Sequence, residues 1–112
     1  MKKEIISKNY LEKIPVTAVE FEIDQKELVV LRIENTGIAN EIAQKLFKRP
    51  RHSFIHLDEF GSFVWKEING ESDIIAIGKA VKEHFGEKAE PLYERLAKYF
   101  KTLESYKFIT FK

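Results

Sequence analysis

Residues 19–24 alternate between apolar and acidic side chains, which is typical of a strand with one buried face. Val19, Phe21 and Ile23 alternate with acidic neighbours, and this spacing predicts a first strand at about 16–23. A polar turn follows, and the apolar, β-branched run at 28–33 predicts a second strand. Together the two segments predict a β-hairpin.

The spacing of apolar residues becomes helical after the hairpin. Asn35-Thr36-Gly37 interrupts the strand pattern, and the apolar positions that follow predict a short helix at about 38–47. Pro50 ends this helix, because the residue before a proline is biased towards extended backbone. The segment Phe54-Ile55-His56-Leu57 then predicts a short third strand.

The C-terminal half of the chain predicts three helices, of which the first two have recognisable ends. Asp58 is a typical N-cap for a helix that ends near 69–70. Ser72 or Asp73 can cap a second helix, which ends where Gly86 offers a left-handed position. Their inward-facing residues are Phe60, Val64, Ile68, Ile74, Ile77, Val81 and Phe85.

The last predicted helix, at about 90–106, has an unusually wide apolar arc. Besides its main stripe, Tyr93, Ala97 and Phe100 extend the arc to about half the circumference, whereas a one-sided surface helix needs roughly 100°. This helix therefore has a second face to cover. An extended segment at 108–111 is predicted to end the chain.

These elements predict an α+β fold. An N-terminal three-stranded antiparallel sheet is followed by three helices, with an extra short helix between the second and third strands. A length of 112 residues suits a single domain over 1–112. The chain has no cysteine, which excludes disulfides and thiolate chemistry, and it has neither a signal-peptide apolar region nor an apolar run of membrane-spanning length. We therefore expect a cytoplasmic protein without membrane contact.

The charge distribution makes nucleic acid an unfavourable partner. The whole chain has a formal net charge of +1, and residues 53–112 hold nine basic against ten acidic residues. Nucleic-acid affinity depends on clustered cations, so this surface is a poor one for phosphates. The local basic cluster of Lys45, Lys48, Arg49 and Arg51 is interpreted as a solvated helix end, with an anionic partner as the alternative.

Signals for catalysis, cofactors and metal ions are absent from the sequence. His52, His56 and His84 do not have the spacing of a metal site, and no nucleophile-elbow or phosphate-binding glycine motif occurs. We therefore predict a protein that is not an enzyme and holds no cofactor or metal. His56 is interpreted as an ordinary strand histidine rather than a pH-sensitive contact, and Trp65 as a core residue rather than a ligand-stacking one.

The run Leu57-Asp58-Glu59-Phe60-Gly61-Ser62-Phe63-Val64-Trp65-Lys66-Glu67-Ile68-Asn69-Gly70 resembles the hallmark of the PqqD-like family. The family pattern is Leu-Asn/Asp-x-x-Gly-x-x-Ile/Val-Trp, followed by an acidic or polar residue and Gly. The resemblance continues through the next two predicted helices, so it covers about 53–110 closely and the N-terminal hairpin loosely. It implies a winged helix-turn-helix arrangement.

The resemblance also implies a function. Proteins of this family are similar to a small chaperone that captures the leader of a ribosomal precursor peptide and presents it to a modifying enzyme, usually a radical S-adenosylmethionine enzyme. The leader adds as a strand beside the third strand and lies against the last helix. Carried over to this chain, the implied peptide-binding residues are Ser53, Phe54, Ile55, His56 and Leu57 on the strand, and Tyr93, Ala97, Phe100 and Glu104 on the helix.

Several alternatives stay open at this point. The aromatic residues of the last helix could simply pack under the hairpin or under the 38–47 helix. The chain could be a winged-helix DNA-binding regulator, or a subunit that docks on a larger enzyme without peptide. An exposed third strand also allows a homodimer through the strand edge. The 35–50 stretch departs from the family pattern, and the peptide and partner enzyme are not identified by the sequence.

Overall fold

The computed structural model describes residues 8–34 and 52–112, which form a mixed α+β structure with antiparallel sheets, as predicted. The described part contains four α-helices and five strands. In chain order these are α1 (Lys8–Leu11), β1 (Pro15–Thr17), β2 (Glu20–Ile23), β3 (Val29–Glu34), β4 (His52–His56), α2 (Glu59–Lys66), α3 (Ile74–Phe85), a 3-10 turn (Gly86–Ala89), α4 (Leu92–Ser105) and β5 (Ile109–Phe111).

The predicted hairpin and third strand form a three-stranded antiparallel sheet in the order β2-β3-β4. Leu31 in the central strand lies opposite Phe21 on one side and Ile55 on the other. The hairpin turn is held by the Asp24 carboxylate, which accepts hydrogen bonds from the backbone N–H of Lys26 and of Leu28 at 2.8 and 2.9 Å. A short polar side chain at this position therefore stabilises the turn locally.

The single first strand predicted at 16–23 was wrong, because this segment forms two strands in two different sheets. β2 pairs with β3, whereas β1 pairs antiparallel with β5 at the end of the chain. The backbone N–H of Ala18 donates to the carbonyl of Phe108 at 2.8 Å, at the point where the chain passes from one sheet to the other. The extended segment at the C-terminus was predicted, but its partner strand was not.

Both predicted helix caps are confirmed. The Asp58 carboxylate accepts from the backbone N–H of Gly61 at 2.7 Å at the start of α2, and Asp73 accepts from Ala76 at 2.8 Å at the start of α3. Each bond satisfies a backbone donor that the first helical turn leaves free. Gly86 ends α3 with a φ of 62°, the positive value that was predicted. α2 ends at Lys66, a few residues before the predicted end.

The core lies between the central strand and the three long helices. Trp65 is 1% exposed and Phe100 is fully buried, so the interpretation of Trp65 as a core residue is confirmed. The other residues of this cluster are Val29, Leu31, Val64, Ile74, Ile77, Val81, Ala89, Leu92, Leu96, Leu103 and Ile109.

Two predictions fall outside the residues that the structure describes. These are the short helix at 38–47 and the basic cluster that contains Lys45 and Arg49. Conversely, the four-residue helix α1 was not predicted. A membrane-spanning helix is not found in either described range, since no helix there has the required length and apolarity.

Candidate functional site

Among the described strands, β4 lies at one edge of the three-stranded sheet. Within residues 8–34 and 52–112, β3 is the only strand that pairs with it. The backbone N–H of Leu57 donates to the carbonyl of Val29 at 2.9 Å. Because hydrogen-bonded and non-bonded residue pairs alternate along antiparallel strands, Ile55 is the next residue of β4 that bonds to β3. The N–H and C=O groups of Phe54 and His56 consequently point away from the sheet, where another strand could pair with them.

The side chains of β4 alternate between the core and the solvent. Phe54 is 52% exposed and His56 is exposed, whereas Ile55 and Leu57 pack partly buried against the core. This alternation was predicted from the sequence and is confirmed. Ser53, at the other end of the implied site, is half-buried. The edge thus offers backbone hydrogen bonds together with one large exposed aromatic ring.

A buried hydroxyl holds the end of β4 against α2. Ser62 is 1% exposed, and its Oγ accepts from the backbone N–H of Val29 at 2.8 Å and donates to the carbonyl of Leu57 at 3.3 Å. Both hydrogen-bonding functions of this buried group are therefore used. Because Ser62 joins β3, the end of β4 and α2, the corner beside the open edge is firmly positioned. No role was predicted for Ser62 from the sequence.

One flank of α4 packs on the start of α2, close to the end of β4. The Tyr99 hydroxyl donates to the carbonyl of Gly61 at 3.0 Å, and its ring meets that of Phe60 edge-on at 6.3 Å between centroids. A Cβ at Gly61 would lie 2.8 Å from the Tyr99 hydroxyl, so this close approach requires a glycine. Burial, and secondarily the negative charge of Asp58, raises the pKa of Tyr99 above its ordinary value.

The same flank carries a cation on an aromatic ring. The guanidinium carbon of Arg95 lies 3.9 Å from the centroid of Phe60, and one of its nitrogens donates to the carbonyl of Lys88 at 2.8 Å. Such stacking stabilises an arginine while its other donors stay available. Phe60, Arg95 and Tyr99 were not among the predicted site residues. The spacing of four residues between Arg95 and Tyr99 places them on one side of the helix, but it does not reveal which element they face.

The predicted residues Tyr93, Ala97 and Phe100 of α4 are partly or fully buried. The Tyr93 hydroxyl donates to the carbonyl of Ile75 at 3.3 Å, and its ring covers Gly78, so Tyr93 packs on α3. Phe100 is fully buried and Ala97 is 4% exposed. The structure therefore places Tyr93 against α3, whereas the ring of Phe100 meets that of Tyr99 edge-on with 6.0 Å between centroids. Whether these residues bind peptide stays a prediction.

Glu104, the remaining predicted residue, is exposed and lies near α1. Its charge acts on Tyr10, whose pKa is raised to about 12, mainly by burial and secondarily by Glu104. The Tyr10 ring also lies 5.2 Å from the ammonium group of Lys101. This end of α4 therefore faces the N-terminal helix.

The described histidines do not form a metal site. Throughout residues 8–34 and 52–112 there is no group of three or more His, Cys, Asp or Glu residues that could hold a metal ion. His84 stacks on Phe63 with a centroid distance of 4.3 Å. His56 lies near Asp24, whose pKa is lowered first by the hydrogen bond from Leu28 and to a smaller extent by His56.

The described part of the chain is an α+β fold with an open sheet edge whose end meets two packed helices. The sequence model of the family described as coenzyme PQQ synthesis protein D, PqqD, matches residues 27–109. Since this match covers most of the chain, the protein belongs to the PqqD family. No curated protein and no solved structure shows significant similarity to the chain.

Proposed function

We propose that this protein is a non-catalytic chaperone in a pathway of the coenzyme PQQ type. It captures the leader of a ribosomal precursor peptide by strand addition to β4 and presents the peptide to a modifying enzyme of the radical S-adenosylmethionine class. The observation that carries the proposal is the open edge of β4 in a chain that belongs to the PqqD family. The proposal includes a winged helix-turn-helix relationship of the sheet to α2, α3 and α4.

Strand addition suits the hydrogen-bonding groups at this edge. Phe54 and His56 together offer two outward N–H donors and two carbonyl acceptors to a peptide backbone. Each bond of this kind contributes roughly 0.5–1.5 kcal/mol after exchange with water, so backbone pairing gives modest affinity without dependence on sequence. Selectivity must then come from the side chains beside the edge.

We propose that the peptide groove beside β4 has as its wall the flank of α4 that carries Arg95 and Tyr99, together with Phe60 of α2. Alternate side chains of an added strand point towards opposite faces of the sheet. In this arrangement one set meets Phe54 and His56, and the other set meets the aromatic and cationic groups of this wall. The protein would thus bind and orient the peptide, while the partner enzyme performs the chemistry.

The test is an NMR titration of labelled protein with precursor peptides encoded near its gene. We expect saturable shifts of the backbone amides of Phe54, His56 and Tyr99, with little change at Tyr93. Shifts centred on Tyr93 and Phe100 would instead support the wall expected from the sequence. Salt-sensitive shifts with a mixed-sequence DNA duplex, or a stable enzyme complex that needs no peptide, would contradict the proposal.

A matched pair of variants separates backbone pairing from side-chain contact. Phe54→Pro removes an outward N–H but leaves the bonds between β3 and β4 intact, because edge strands tolerate proline on their open side. We expect peptide binding to weaken by about twofold to tenfold, whereas Phe54→Ala keeps the donor and loses less. Equal affinity of the two folded variants would exclude strand addition at this position.

A further inference from the structure

In the part of the chain that the structure describes, the three-stranded sheet has a second open edge, at β2. Among the strands in the described ranges, β2 pairs with β3 alone. The backbone N–H of Asp24 donates to the carbonyl of Leu28 at 2.8 Å. Because hydrogen-bonded and non-bonded residue pairs alternate along antiparallel strands, Glu22 and Glu20 are the residues of β2 that bond to β3. The N–H and C=O groups of Phe21 and Ile23 therefore point away from β3, in the same way as those of Phe54 and His56 on β4.

The helix-facing side of this edge is apolar and incompletely covered. Phe21 is 44% exposed and Ile23 is 42% exposed, whereas Val29 and Leu31 opposite them on β3 are fully buried. The Phe21 ring meets the buried ring of Trp65 edge-on, with 5.7 Å between centroids. The apolar layer of the sheet thus continues to the edge and ends there without a neighbour in the described part of the chain.

The opposite side of the edge is acidic. Glu20 and Glu22 are both exposed there, and residues 20–34 hold five acidic against two basic residues. Glu20 forms an ion pair with Arg32 at 3.1 Å, but Glu22 makes no ion pair with any described residue. An added strand would therefore meet apolar groups on one face and negative charge on the other.

This charge pattern disfavours pairing of β2 with the β2 strand of a second copy of the chain. If two β2 strands pair antiparallel with their apolar faces on the same side, every register places an acidic residue opposite another acidic residue, for example Glu20 opposite Glu22. Like charges directly opposite each other destabilise strand pairing. A basic residue opposite Glu22 would instead be favourable.

We propose that the outer edge of β2 is a docking site for an extended segment of a partner protein in which basic residues alternate with apolar ones. The apolar side chains cover Phe21 and Ile23, and the basic side chains lie opposite Glu20 and Glu22. β2 and β4 lie on opposite sides of β3, so both edges can be occupied at the same time. The β2 site does not depend on peptide binding at β4, and β2 precedes the segment that matches the family, residues 27–109.

The test uses two synthetic peptides as probes, one in which lysine alternates with valine and one in which glutamate alternates with valine. We expect the lysine peptide to shift the backbone amides of Phe21 and Ile23 saturably, with weaker binding at higher salt because exposed charges are screened. The glutamate peptide should leave these amides unchanged. Equal effects of both peptides, or shifts confined to Phe54 and His56, would overturn the proposal.

Two variants make the test specific to this edge. Glu22→Lys should weaken binding of the lysine peptide by about fivefold without disturbing the core, because it places like charges opposite each other. Phe21→Pro removes an outward N–H and should also weaken binding, whereas Phe54→Pro should not. Unchanged affinity in Glu22→Lys, or shifts at β2 that depend on protein concentration without peptide, would exclude the basic segment as occupant. Precursor peptide titrated into the same variants tests the β4 site separately.

Discussion

The two edges of the three-stranded sheet are alike in backbone but differ in their surroundings. β2 and β4 each expose a phenylalanine, Phe21 and Phe54, and each turns alternate N–H and C=O groups outward. The end of β4 runs directly into α2 and is held there by Ser62. β2 instead ends in an acidic turn held by Asp24. The outward N–H and C=O groups alone therefore do not distinguish the two edges.

What distinguishes them is the element beside each edge. Tyr99 and Arg95 of α4 lie on the first turn of α2, near the end of β4. At β2 the neighbouring groups are the ring of Trp65 and the exposed carboxylates. One sheet can thus offer the same backbone hydrogen bonds to two partners and select them by different side chains.

The largest expected effect concerns the central strand that both edges share. Leu31→Ala should lower the free energy of unfolding by about 2–5 kcal/mol, because a fully buried leucine leaves a cavity. Phe21→Ala, at a residue that is 44% exposed, should cost only about 1–2 kcal/mol. Urea unfolding of both variants measures the difference. Equal losses would show that the β2 edge is covered in solution.

The next effect separates the two flanks of α4. A Cβ at Gly78 would lie 2.5 Å from the Tyr93 ring, and one at Gly61 would lie 2.8 Å from the Tyr99 hydroxyl. Gly78→Ala and Gly61→Ala should therefore each destabilise the fold by about 1–3 kcal/mol through overpacking. Only Gly61→Ala should also weaken precursor peptide binding, measured by calorimetry on the folded fraction. Weaker peptide binding in Gly78→Ala but not in Gly61→Ala would instead place the peptide beside Tyr93.

A smaller effect concerns the turn between β2 and β3. The hydrogen bond from Leu28 is the main cause of the lowered pKa of Asp24, so the carboxylate stabilises the fold above its ordinary pKa of 3.8, and this contribution is lost as the pH falls through the lowered value. Asp24→Asn should therefore be less stable than the wild type at pH 7. The difference should shrink in acid, which thermal unfolding at the two pH values would measure. A difference that grows in acid would contradict this assignment.

The smallest expected change in stability is at Arg32. Its ion pair with Glu20 is exposed, so Arg32→Gln should change the free energy of unfolding by less than about 0.5 kcal/mol. The same substitution makes the β2 edge more acidic and should strengthen binding of the lysine-valine peptide. A binding measurement alongside urea unfolding separates these outcomes, and weaker binding would argue against charge selection at this edge.

Features set by neighbouring residues were predicted well. Asp58 and Asp73 cap their helices because the carboxylate and the amide that it accepts from are three residues apart. The alternation at β4 and the wide apolar arc of the last helix were likewise visible, since a periodic pattern reports which side chains are buried. The wide arc correctly indicated two neighbours, but it did not indicate which flank of the helix meets which neighbour.

The amino-acid sequence by itself determined the order and type of the main elements, their caps, the buried position of Trp65 and the family resemblance. Only the tertiary structure decided that β1 leaves the sheet to pair with β5, that Tyr93 packs on α3, and that Tyr99 packs on α2 near β4. The physical reason is the range of the interactions. Caps and periodicity involve residues within a turn or two, whereas strand partners and helix flanks depend on contacts between segments far apart in the chain.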